Sequence, residues 1–328
     1  MSPAERLFRQ RLERRAAALA PDLQKAILDG WTRIRFLLSP GQLEAFIQSP
    51  SAELLLAEVL TPETIARAFA PASEVLRDGV EAAAQAIQRE LPAAARAQTF
   101  NVLNPNVVEG IRALDSRVVT TLAEDTRETV RAFVENGLRD GVNPRTIARE
   151  IRSVVGLAPN QLQAVDNFRA MLEAGDPKAF TRELRDRRFD STIRKAFDGE
   201  GLSPEQVDRM TEQYRKRFIA WNAETNARTA ALDAQKLGHD LSWKDAIDRG
   251  DVDGERLFKR WSTTLDGRER PEHHALHGEV VRHDEYFSNG EMVPGESTFN
   301  CRCIAVMFTA VRPDEARRSG RGLPQGAA

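Results

Sequence analysis

Residues 259–308 read KRWSTTLDGRERPEHHALHGEVVRHDEYFSNGEMVPGESTFNCRCIAVMF, and they hold four of the chain's five histidines and both of its cysteines. Here the sequence stops looking helical. Trp261, Thr263 and Leu265 alternate at the strand period, so a short strand is expected over 259–265. Asp266-Gly267 marks a tight turn, because glycine accepts the positive φ such turns need. Pro271 suits the first turn of a short helix that Gly278 can close, which gathers His273, His274 and His277. Pro294-Gly295 makes a further turn, and residues 301–308 read as a buried strand. Along that strand Cys301, Cys303, Ala305 and Met307 share one side, and Arg302, Ile304, Val306 and Phe308 the other.

Outward from this stretch the chain is helical. Ser2-Pro3-Ala4-Glu5, Ser39-Pro40-Gly41-Gln42 and Ser203-Pro204-Glu205-Gln206 are capping boxes with proline at the first helical position, and Thr61-Pro62 supplies half of one. Each satisfies amide groups that the helix leaves without partners. Apolar residues three or four apart predict a long helix over about 106–136, roughly 45 Å in length, ended by Gly137 and Gly141. A second stripe, from Val207 to Leu232, predicts a helix from Ser203 to Leu237 with Gly238 as its stop. Residues 241–254 then read as a linker. Residues 182–197, RELRDRRFDSTIRKAF, are rich in basic residues, but the interspersed Glu183, Asp186 and Asp190 favour a solvated face over a nucleic-acid contact.

Net charge is −2, so no global basic field draws the chain to nucleic acid, and at most weak DNA contact is expected. Charged residues are 29% and aromatics 6%, a balance that suits amphipathic helices better than a β-rich core. Two cysteines in C-x-C spacing make no disulfide framework, which fits a reducing cytoplasm. No apolar run has the length of a membrane span, and the first residues lack the apolar core of a signal peptide. Four segments follow: an N-terminal helical region (1–100), a long-helix region (101–240), a small α+β domain (241–310) and a tail (311–328) with too few apolar residues to pack. The expected fold is mainly α, a long-helix scaffold with a small C-terminal α+β domain carrying a short β-sheet.

The ordered set Trp261, Asp266, Arg268, Arg270, His273, Gly278, Pro294-Gly295 and Asn300-Cys301-Arg302-Cys303 resembles the signature of the head-morphogenesis family of tailed bacteriophages, the Mu F-like minor head proteins. The likeness continues more weakly upstream, from about Asp125 to Lys236, and the first hundred residues carry none of it. It implies a non-enzymatic protein that assembles in the host cytoplasm into a procapsid or virion. Its implied partners are the portal and capsid or scaffold proteins, and its implied role lies in head assembly or genome delivery.

Three chemistries are open to the signature. His273, His277, Cys301 and Cys303 offer the nitrogen and sulfur donors of a tetrahedral zinc site, with the histidines at i and i+4 on one helix face. The same residues also read as core cysteines beside hydrogen-bonding histidines. Asp266, Arg268 and Arg270 surround a turn where a carboxylate can brace guanidinium groups, and Gly278 and Arg302 belong to the same frame. The alternative function is a metal-dependent nuclease or toxin-like enzyme using the His/Cys cluster.

Overall fold

A computed structural model describes residues 2–89, 91–96, 99–199 and 201–310. The tail expected over 311–328 lies outside the described residues. Among the described residues ten α-helices precede the first strand: α1 (Pro3–Leu37), α2 (Pro40–Gln48), α3 (Ala52–Glu58), α4 (Pro62–Gln88), α5 (Ala93–Arg96), α6 (Pro105–Arg139), α7 (Pro144–Val154), α8 (Pro159–Glu173), α9 (Asp190–Phe197) and α10 (Pro204–Asp248). Then come β1 (Leu257–Ser262), the short helix α11 (Pro271–Ala275), β2 (Val280–Arg282) and β3 (Ile304–Thr309). The strands form one antiparallel sheet ordered β2-β1-β3, in which Lys259 pairs with Val281 on one side and Met307 on the other. A mainly helical chain with one small C-terminal sheet is therefore the fold, as composition and periodicity predict.

The local start signals act as their chemistry demands. Glu5 N–H donates to Ser2 Oγ at 3.2 Å while Ser2 N–H donates back to Glu5 Oε2. The box at Ser203 closes the same way, with Ser203 N–H on Gln206 Oε1 at 2.9 Å. Stops are less faithful. Helix α10 runs 45 residues, through Gly238 and over most of the stretch expected as a linker. Gly238 serves packing instead: a Cβ there would lie 2.6 Å from Ala83 Cβ and 2.7 Å from Val80 O, so its absence lets α4 and α10 cross closely. Gly137 likewise lies inside α6, where a Cβ would meet Ile147 Cδ1 at 2.9 Å; Gly141, at φ +72°, follows the true end. Residues 182–197 hold one 3-10 turn, Arg187–Phe189, followed directly by α9, rather than one continuous helix. Their cations are matched locally: Arg185 makes a forked pair with Asp190, and Asp186 is held down to about 2, chiefly by its hydrogen bonds from Arg188.

Two compact units divide the chain: Met1–Gln24, Ser73–Arg117 and Asn226–Ala328 in one, Lys25–Ala72 and Val118–Thr225 in the other. In the second unit a turn at Gly156, φ +96°, sits against Trp31, and the buried Asn222 of α10 donates to Gly156 O at 3.0 Å. The first unit contains the sheet, buried on both faces. Trp261, Cys301, Cys303 and Ala305 pack with Leu276 and Phe287 on one face. Ile304 and Val306 pack on the other against Leu12 and Phe8 of α1 and Leu232 of α10. This is the alternation read from the sequence, now with each layer identified.

Candidate functional site: a buried histidine–cysteine centre in a braced frame

Pro271 starts α11 at the position where its missing N–H costs nothing. The helix carries His273 inward, and Gly278 at φ +89° turns the chain back onto β1, its N–H donating to Trp261 O at 2.9 Å. His273 is buried, with its ring edge-on to Trp261 at 5.4 Å. Its Nδ1 lies 3.4 Å from Cys301 Sγ and 3.7 Å from Cys303 Sγ. Both sulfurs precede β3 rather than lying within it, and both are buried.

His273, Cys301 and Cys303 form a group that could hold a metal ion, their donor atoms lying within 4.8 Å of one another. A tetrahedral ion with metal–sulfur bonds of ~2.3 Å and metal–nitrogen bonds of ~2.0 Å separates its sulfur and nitrogen ligands by ~3.5 Å. The two observed separations straddle that edge length. His277, the fourth expected ligand, goes elsewhere: its Nδ1 accepts the Thr263 backbone N–H at 3.1 Å. The reason is that α11 ends at Ala275, so the i and i+4 residues do not share a helix face. The Cys301 thiol is pulled down to about 6, first by a hydrogen bond from the Cys303 thiol and then, against the effect of burial, by Lys236 and His273. That pairing and burial push Cys303 up. The lowering at Cys301 favours its thiolate, the form a metal requires.

A second ring of groups, not singled out in the sequence, fixes this centre. Lys236 of α10 is almost fully buried and donates to Cys301 O at 2.8 Å and Pro294 O at 3.0 Å. Gly295 closes the turn beside it at φ +95°, and a Cβ there would stand 2.9 Å from both Cys301 Cβ and Lys236 Nζ. Glycine at 295 is thereby explained on two counts, backbone conformation and space. Buried Glu291 accepts from Gly295 N–H at 2.8 Å, Ser297 N–H at 3.0 Å, the Ser297 hydroxyl and Thr298 Oγ1 at 3.3 Å. Thr298 Oγ1 in turn lies 3.4 Å from His273 Nε2, which links Glu291 to the histidine. Lys259 is also buried, its Nζ donating to Met292 O at 2.9 Å and lying 5.2 Å from the Phe287 ring centre, and burial pushes it down to about 8.

Outside the centre lies the brace. Asp266 accepts two bonds from Arg302, at 2.6 and 2.8 Å, and two from Arg268, at 2.8 and 3.2 Å. Arg302 first, then Arg268, hold its carboxyl far below the usual carboxylate range. Arg270 donates to Phe299 O at 3.1 Å. Asn300 takes φ +57°, which asparagine accepts more readily than most side chains. The signature residues thus each serve the structure. Trp261 fills the core, Gly278 and Gly295 turn the chain, and Asp266 ties two loops together.

The sequence profile of the family described as Phage Mu protein F like protein matches residues 128–306. The chain belongs to this family. The match takes in the whole buried centre and its brace, and within the Mu F-like family the chain is a phage-head-related protein of a structural class. No curated protein and no solved structure matches it. Among the described residues no helix is long and apolar enough to cross a membrane.

Proposed function

We propose that the chain is a minor head protein that acts without catalysis in head morphogenesis or genome delivery, through contacts with portal and capsid or scaffold proteins. The observation that carries this is the family match over 128–306, which ends within the C-terminal sheet and encloses every signature residue. In this reading residues 241–310 carry the signature domain, 101–240 the long-helix region and 1–100 the N-terminal helical region, with 311–328 as a tail. The protein is made in the host cytoplasm and incorporated into the procapsid or virion. Burial of His273, Cys301 and Cys303 supports structure over turnover, because a reacting substrate would have no access to them.

In the same reading the centre takes zinc. His273, Cys301 and Cys303 would hold it, and the ion would supply a cross-link between α11 and the approach to β3, contributing folding free energy. The test of the head-protein reading is composition: procapsids and virions from a phage encoding this chain are purified and probed for it. Its presence at fixed stoichiometry, and headless or empty particles when its gene is removed, are expected. Normal infectious particles lacking the chain would overturn the reading.

A further inference from the structure

Beside the brace lies a cleft of about 700 Å³ with a different chemistry from the buried centre. Four arginines line it, Arg228 of α10 with Arg268, Arg270 and Arg302 of the signature loops, against a single carboxylate, Glu13. Its floor is apolar, formed by Ala16, Ala17 and Ala20 of α1 and Leu232 of α10. All of these residues belong to one compact unit. A guanidinium has five N–H donors, and Asp266 engages two of Arg302's and two of Arg268's. The brace therefore holds these cations in place without using up their donors.

The loops at the brace are unusual. Leu265 and Asn300 both take φ +57°, in the left-handed region, and a bulky leucine there is an outlier. Such strain persists only where surrounding contacts impose it, and it concentrates at binding sites. Leu265 and Phe299, each nearly half exposed, present apolar surface on the same two loops.

We propose that this cleft binds an acidic amphipathic segment of a partner protein, its carboxylates on the arginines and its apolar side chains on the alanine and leucine floor. Charge complementarity selects the occupant. The chain's own tail is excluded by the same criterion, since Arg312, Arg317, Arg318 and Arg321 outnumber Asp314 and Glu315. Nucleic acid fits less well, because phosphates need cations but make no use of the alanine and leucine lining. The inference deepens the head-protein reading by naming the chemistry of one partner surface.

The experiment uses the full chain and a labelled synthetic helical peptide with leucine at every third or fourth position and glutamate elsewhere. Fluorescence anisotropy is read against a scrambled peptide of the same composition, a lysine counterpart and a short DNA duplex. The glutamate peptide is expected to bind at least about tenfold more tightly than each control. The double variant Arg228→Glu/Arg270→Glu and the floor variant Ala17→Trp should each weaken it by a similar factor, with unchanged circular dichroism. Equal binding of the scrambled peptide, indifference to both variants, or preference for the duplex would overturn the proposal. No phage component enters this measurement, so its failure leaves the head-protein reading standing. Absence of the chain from particles would likewise leave the peptide result intact.

Discussion

Glu5 Oε2, in the first turn of α1, accepts a bond at 3.0 Å from Arg260 Nη2 on the central strand β1, 255 residues later in the chain. Both side chains are more than nine-tenths buried. Against the opposing effect of burial, hydrogen bonding from Ser262 and the charge of Arg260 keep the Glu5 carboxyl low. Arg9, one turn on, donates to Ser262 O at 2.8 Å and Arg302 O at 2.7 Å. The start of the chain is thus a component of the signature unit.

Removing one member of a buried ion pair leaves the other charge unmatched, at a cost of about 3 kcal/mol. Glu5→Ala should therefore lower the denaturation midpoint of the unit that holds the sheet, followed by fluorescence of Trp261. The double variant Glu5→Leu/Arg260→Met removes both charges and should recover most of the loss. If Glu5→Ala melts like the wild type, the pair has no structural weight.

Zinc at His273, Cys301 and Cys303 predicts about one equivalent of metal in the purified protein. Chelation should then lower the melting temperature of the signature unit, and Cys303→Ser should abolish both the metal and the chelator response. Metal-free protein whose melt ignores chelator would leave only core cysteines beside a histidine. In that case Cys303→Ala costs on the order of 1 kcal/mol as a small truncation.

Two glycines make a matched pair. Gly295→Ala forces a side chain into positive φ and to within 2.9 Å of Cys301 Cβ, so a loss of about 2 kcal/mol or more is expected. Gly41→Ala, inside α2 with nothing within 4 Å, should instead stabilise by about 0.5–1 kcal/mol. Equilibrium unfolding of the two variants checks both signs at once.

His239 of α10 supplies a pH dependence. Burial pushes it down to about 4, where its Nε2 accepts from Trp243 Nε1 at 3.3 Å and its ring lies 4.8 Å from that of Phe8. Asp240 opposes the shift and Arg15 assists it. Unfolding frees the ring to protonate near its ordinary value of 6.5, so the unfolded chain binds the proton first. The contribution is intact above that value and is lost as pH falls towards 4, by about 3 kcal/mol at most. Stability measured across this range should slope in wild type and flatten in His239→Gln. Parallel profiles would show that His239 does not titrate with unfolding.

The capping boxes were legible because each is settled within four residues. The alternation of residues 301–308 was legible because its period is local, though the partners of the two faces were not. Gly238 misled because a glycine that ends a helix and one that lets two helices cross look alike until Ala83 is known to lie beneath it. In the centre, His273 and the two cysteines were readable from residue type, whereas His277 depended on how far α11 continues. Lys236 and Glu291 gave no signal at all, since a buried charge in a polar-looking segment is defined only by the carbonyls and amides that fold around it.

The order in which the chain is made acquires a meaning from the partition of α1. At about 5–20 residues per second, Arg260 and Ile304 leave the ribosome roughly 15–60 s after Glu5 and Leu12. Throughout that interval the sheet-facing side of α1, with its acid, its arginine and its apolar residues, has no native surface to cover. Closure of the signature unit is consequently a late event by topology, of the slow, non-local kind. A nascent chain short of Ile304 keeps this face of α1, and the Leu232 side of α10, uncovered, and binding there by a chaperone or a premature assembly partner would compete directly with closure of the sheet.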